Sequence, residues 1–264
     1  MEQMKLSILL SLFLTLPVFA YIPPTKVILE KTVENAGTTA YQIEKEIRFS
    51  NPEIPVLKET WYIENDRAMR LTVSPATGAG PRLTILYTGN AKTILISGSR
   101  TSTRILDEMS ERFFHFHRTE NFIQALSALH ILTTTQGNLD LARLNRSQGV
   151  VNFGIGHPTD EGAKASSPYI WIDQDAFVIR KIRFNEDTEL LANNYQIFPK
   201  GLNYPMITRL DWDQEKVKMT TLSVTMVKKF PPTVFQPTAL EDSSAFLTSM
   251  SRWKPVSEFY SRFR

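Results

Sequence analysis

Residues 168–212 constrain the fold more than any other stretch of this chain. Val178, Arg180, Ile182 and Phe184 form one set and Ile179, Lys181 and Arg183 the other. The first is mostly apolar and the second mostly basic, as in a strand with one face on a core and the other in water. The order matters too: Trp171-Ile172-Asp173, the turn Asp175-Ala176-Phe177, that basic-apolar strand, the run Asn194-Tyr195-Gln196-Ile197-Phe198 and the run Tyr204-Pro205-Met206-Ile207-Thr208. Together they predict consecutive antiparallel strands joined by short polar turns.

The first half of the chain repeats the pattern. Over 40–49, Tyr41, Ile43, Ile47 and Phe49 face one way and Gln42, Glu44, Glu46 and Arg48 the other, until Asn51-Pro52 and Ile54-Pro55 break the strand. Further strands are expected over 57–63 (Leu57, Trp61, Ile63), 67–73 (Met69, Leu71, Val73), 82–87 and 92–97, the last two around Gly89-Asn90. A long strand is expected over 217–228. Helical spacing occurs in a short leading segment at 27–35, at 240–250 and in the middle of the chain. There Ile105/Leu106, Met109 and Phe113 predict a helix over 103–116 with Thr103 as its N-cap. Phe122, Ile123, Leu126, Leu129 and Ile131 predict a second over 120–132, with a third short piece near 139–144.

Residues 1–20 read as a secretory signal: Lys5 supplies the basic start, Leu6 to Leu16 the apolar run and Val18-Phe19-Ala20 the small-residue exit, with cleavage expected after Ala20. The apolar run is short of the about 20 residues a spanning helix needs. No cysteine follows it, so no lipid-attachment site is expected, and the chain has no cysteine anywhere. The remainder, about 244 residues, fits one large β domain that builds its core without disulfides. Thirty Lys+Arg against 27 Asp+Glu give a formal net charge of +3. That is too small and too dispersed for a nucleic-acid surface.

Strand order and the Trp-Ile-Asp segment at 171–173 resemble the second half of the LolA/LolB-type fold of periplasmic lipoprotein carriers. The resemblance covers roughly residues 25–236, and the segment 230–235 resembles the one that closes such domains. It implies a mainly β (α+β) chain: a strongly curved antiparallel sheet, an open half-barrel, with two or three helices covering the concave face. It further implies a half-barrel domain over 21–236, a part-helical extension over 237–264, and periplasmic binding and transport of lipid or lipid-modified protein. The partners implied are acyl chains and an inner- or outer-membrane envelope protein, with the chain acting as a monomer. A non-carrier envelope sensor or protein-interaction domain on the same fold is the alternative.

On this reading the candidate cavity lining is Tyr41, Ile43, Lys45, Ile47, Trp61, Met69, Phe113, Phe122, Leu126, Leu129, Trp171 and Ile182; the same residues can instead fill a solid core. Lys45 stands at the centre of the apolar face of 40–49, where a buried cation needs a carboxylate, a backbone carbonyl or an anionic head group. The lipoprotein carriers hold a basic residue at a comparable place that engages their helical lid, although there it is Arg, whose rigid fork Lys lacks. A β-bulge, or a lysine reaching out to the rim, is the other reading of Lys45. Trp253, Phe259, Tyr260 and Phe263 beside Arg252, Lys254, Arg262 and Arg264 leave two options for the extension: docking on its own sheet, or meeting a membrane face or partner protein.

Little in the sequence points to catalysis. Gly78-Ala79-Gly80-Pro81 lacks the strand-to-helix setting of a phosphate loop, and no Gly-x-Ser-x-Gly elbow occurs. His115 and His117 flank Phe116 without a third ligand at sensible spacing, and His130 and His157 stand alone. The acids Asp173/Asp175 and Glu186/Asp187/Glu189 occupy hairpin turns. The chain is therefore expected to be no enzyme and to hold neither metal nor cofactor.

Overall fold

The computed structural model describes residues 21–135, 138–139, 142–147, 149–156 and 167–264. The expected signal segment and His157 lie outside the described residues. A single antiparallel sheet of 13 strands dominates, in the order β6-β5-β4-β3-β2-β1-β15-β14-β13-β12-β11-β10-β9, and it does not close. The first meander is β1 (Ala40–Phe49), β2 (Leu57–Asn65), β3 (Ala68–Pro75), β4 (Leu83–Thr88), β5 (Ala91–Ile96) and β6 (Ser99–Arg104). The second is β9 (Arg143–Ser147), β10 (Val150–Gly156), β11 (Tyr169–Asp173), β12 (Ile179–Asn185), β13 (Thr188–Ile197), β14 (Asn203–Trp212) and β15 (Glu215–Val227). A separate two-stranded ladder joins β7 (Thr134–Thr135) to β8 (Asn138–Leu139). Pairing of β1 with β15, running from Ala40–Val227 to Phe49–Val217, fuses the meanders into one open half-barrel.

Turn chemistry fixes the register of the second meander. Asp173 Oδ1 accepts from the amides of Asp175 (3.0 Å) and Ala176 (2.9 Å), while Arg180 Nη2 donates to its Oδ2 at 2.8 Å. Asn185 Oδ1 accepts from Asp187 N at 3.0 Å. Such side chains mimic a backbone turn, the role the sequence assigns to these positions.

The inner face of the sheet is covered by α1 (Thr25–Glu34), a 3₁₀ turn (Ser110–Phe114), α2 (Thr119–Ala128), α3 (Ser244–Met250), α4 (Lys254–Glu258) and a π turn (Phe259–Phe263). The helix α2 ends earlier than its apolar spacing predicts. His130 adopts φ 57°, its amide reaches Ser127 O at 3.0 Å, and Ile131 N reaches Leu126 O at 2.9 Å. These two reversed bonds close the helix in a Schellman motif, which gives the isolated His130 a backbone role.

Two expectations are corrected. Residues 103–116 are not a helix: Thr103 and Arg104 belong to β6, where Thr103 pairs with Lys92, and only 110–114 coil, as 3₁₀. The polar run Ser99–Arg104 carries β-branched threonines and lies wholly exposed at the sheet edge, so it has no buried face to announce it. Ile105, Met109 and Phe113 are buried as their spacing demands, but in an irregular crossing rather than a helix. The piece near 139–144 is likewise strand at its described ends, β8 and β9. Among the described residues no helix is long and apolar enough to cross a membrane.

Candidate functional site

Four charged side chains converge inside the apolar interior, each from a different segment. Lys45 on β1 and Glu59 on β2 face one another across the ladder. Lys45 Nζ lies 2.5 Å from Glu111 Oε2 of the 3₁₀ turn, with both side chains 1% exposed. Arg264 Nε donates to Glu59 Oε1 at 2.9 Å, with both side chains fully buried. The four formal charges balance, and further polar side chains reach the two carboxylates and Arg264. Trp61 Nε1 donates to Glu59 Oε2 at 2.9 Å, the Tyr204 hydroxyl donates to Glu111 Oε1, and His115 Nε2 lies 3.1 Å from that same oxygen. Arg264 Nη1 donates to Ser110 Oγ at 2.5 Å.

Burial opposes every one of these charges, and pairing decides which survive. For Glu111, desolvation acts upward, but Lys45, His115 and Arg264 outweigh it and hold the carboxyl well below the usual carboxylate range. Desolvation pushes the Lys45 ammonium down against the pull of Glu111. Desolvation also works against the Arg264 charge, yet Glu59 and Glu111 hold its pKa above the ordinary value. Burial and then Glu111 push Tyr204 well up, so it remains a neutral donor.

A bulge does occur beside Lys45, but on the partner strand. The register of β1 with β15 slips between Glu44–Ser223 and Lys45–Thr221, leaving Leu222 unpaired and 52% exposed. The pairing of β1 with β2 runs through Lys45 unbroken, so its side chain keeps its inward direction.

The C-terminal segment docks on its own sheet. Phe259 packs edge-on to Phe49 at 5.6 Å between ring centroids, and Phe263 meets Trp212 at 5.3 Å. The Arg264 guanidinium stands 4.6 Å from the centre of the Phe259 ring. Lys92 of β5 anchors the last turn by donating to the carbonyl oxygens of Tyr260 (2.5 Å), Ser261 (3.1 Å) and Arg264. Burial, with Arg264 adding to it, lowers the Lys92 pKa to about 8.

An open sheet whose inner face is covered by short helices between and after two meanders is an architecture shared with known proteins. A LolA superfamily protein from Nitrosomonas europaea superposes with a TM-score of 0.56 at 11% identity, over 83% of this chain and 100% of that one. A putative outer-membrane lipoprotein-sorting protein domain from Vibrio parahaemolyticus gives 0.52 at 10% identity, over 81% and 97%. A DUF1329 family protein from Desulfovibrio piger gives 0.51 at 11% identity, over 83% and 99%. The fold is LolA-like. No family model matches the sequence, and no curated protein matches it.

Within this LolA-like half-barrel, Tyr41, Ile43, Ile47, Trp61, Met69, Phe113, Phe122, Leu126, Leu129 and Ile182 join one buried apolar cluster on the inner face, together with Phe259 and Phe263 of the docked segment. Trp171 is a correction. Ile170 and Ile172 take the inward positions of β11, so the two-residue period sends Trp171 to the outer face. There its ring lies under Lys181 (4.9 Å) and Arg183 (5.2 Å). Among the described residues no group of three or more potential metal ligands occurs, around His115 and His117 or elsewhere.

Beside the filled interior, the LolA-like sheet leaves a cavity of about 410 Å³ between β4–β6 and α3–α4. Leu83, Ile94, Phe246, Met250, Val256 and Tyr260 contribute to its wall, and Lys92, Arg104 and Leu106 also border it. None of these belongs to the lining expected from sequence. Glu59 was legible in principle, since it occupies an inward position between Leu57 and Trp61 as Lys45 does between Ile43 and Ile47. Glu111, Tyr204 and the cavity depend on contacts between distant segments, for which the sequence carries no local signal.

Proposed function

We propose that this chain is an exported LolA-like envelope protein that binds lipid, or the lipid part of a modified protein, and carries it through the periplasm as a monomer. The supporting observation is the apolar cavity of about 410 Å³, within the range of about 300–1,000 Å³ typical of ligand pockets. Lys45 is paired with Glu111 and Arg264 with Glu59 inside the interior, an arrangement suited to holding rather than transforming a ligand. An inner- or outer-membrane protein would deliver or accept the cargo.

The test is native mass spectrometry of the protein purified from its own envelope without detergent, followed by organic extraction. A recovered acylated species supports the carrier reading. A clean apo mass, with no uptake of added lipid, overturns it.

A second reading, a sensor or protein-interaction domain, is favoured by the docked segment. Phe259, Phe263 and Arg264 occupy inner-face space that an acyl cargo would need. An apo mass together with capture of a specific envelope protein would establish that reading instead.

A further inference from the structure

We propose that the cavity between β4–β6 and α3–α4 takes one acyl chain bearing an anionic head group, with the chain inside and the head at Arg104. This rests on the lipid-binding reading above and narrows it to a ligand class and a site outside the filled interior.

Volume admits a chain. The cavity of about 410 Å³ falls within the about 300–1,000 Å³ of pockets that enclose small ligands, room for a medium-length acyl chain. The wall is apolar on both sides: Leu83 and Ile94 come from the sheet, and Phe246, Met250 and Val256 from the docked helices. Leu106, 49% exposed, borders the same space and extends the apolar surface toward solvent.

Charge sets the head group. The two charged side chains bordering the cavity, Lys92 and Arg104, are both basic. Lys92 is buried and already donates to the carbonyls of Tyr260, Ser261 and Arg264, so the chain itself consumes its donors. Arg104 is 76% exposed and is held by Asp107 at 3.5 Å, an exposed pair of the weak kind. Its guanidinium can therefore swing to a carboxylate or phosphate and bind it through two parallel N–H donors.

The experiment titrates the full mature chain, below micelle-forming concentrations, with saturated fatty acids of 8 to 18 carbons. Dodecanoyl lysophosphatidylglycerol and uncharged monolauroylglycerol are run beside them. Affinity should rise by up to about fourfold per methylene and level off within the series, once the chain outgrows the cavity. Arg104→Glu should weaken both anionic ligands about tenfold or more and leave monolauroylglycerol unchanged. Preference for the fatty acid or for the lysolipid would identify the head as carboxylate or phosphate. Leu247→Trp, which crowds the cavity from its wall, should weaken binding of all three.

Affinity still climbing at 18 carbons, or an anionic ligand indifferent to Arg104→Glu, would overturn the proposal. Since Arg104 is exposed, that second arm holds even if Leu247→Trp misfolds. Lipid that binds well-folded Leu247→Trp as tightly as the parent would sink this site alone and leave the carrier reading standing. Failure of every lipid to bind the parent would sink both.

Discussion

Arg264 and Glu59, 205 residues apart in sequence, form a fully buried ion pair whose Nε–Oε1 separation is 2.9 Å. Through it the docked C-terminal segment is tied to β2, and through Ser110 to the 3₁₀ turn that also carries Glu111. Removing one partner leaves an uncompensated charge in an apolar interior. Arg264→Met should therefore cost about 3–5 kcal/mol in urea unfolding, and Glu59→Leu/Arg264→Met together far less than the two single changes added. Additive losses would show that the two side chains do not act as a pair.

Acid stability should follow Glu111. Its folded-state pKa lies below its unfolded value, so its contribution is complete above the ordinary carboxylate value of about 4.3 and is lost as pH falls toward the folded value. The urea midpoint of the parent should drop as pH is lowered from 5 to about 3. Lys45→Met/Glu111→Leu should show a shallower slope over the same window. Equal slopes would mean that other carboxylates govern acid unfolding.

Leu126 tests whether the inner cluster is core. It is fully buried against its neighbours in the apolar cluster. Leu126→Ala should lower stability by about 2–5 kcal/mol. A change confined to lipid affinity, with unfolding unaltered, would return Leu126 to the role of cavity lining.

Two glycines on β10 should respond differently to Ala. At Gly156, φ is +134° and an added Cβ would stand 2.7 Å from the Pro168 carbonyl oxygen, which is backbone and cannot step aside. At Gly154 the clash is with the Tyr169 side chain, at 2.2 Å from its hydroxyl oxygen, and a ring can swing away. Gly156→Ala is expected to cost about 1–3 kcal/mol and Gly154→Ala less, as read from thermal unfolding. The reverse order would place the strain in the Tyr169 packing.

The strands with one buried face were legible because burial imprints a two-residue period on them: Tyr41, Ile43 and Ile47, or Met69, Leu71 and Val73. The edge strand β6 was not, since a strand without a buried face carries no such imprint. The apolar positions 105, 109 and 113 gave burial correctly and backbone incorrectly, because the same spacing arises when an irregular segment crosses a core. Trp171 shows the complementary failure. It stood in the expected lining, yet the parity set by Ile170 and Ile172 places it outside under a cover of cations. Lys45 could be read as an inward cation from its strand, but its partner Glu111 is 66 residues away and no local rule pairs them.

The seam between β1 and β15 has a consequence for how the molecule comes into being. Each meander is built from neighbours in sequence, so its hairpins can form as the chain emerges. The seam sets Ala40 beside Val227 and cannot form until nearly the whole sheet has been synthesised. Contacts of such long sequence separation are slow to find, because the entropy of closing the loop is lost before the ladder rewards it. The segment bearing Phe259 and Arg264 comes later still and bonds to side chains of the first meander. The shared interior is thus completed only when the segment bearing Phe259 and Arg264 arrives, leaving the polypeptide incompletely folded until then.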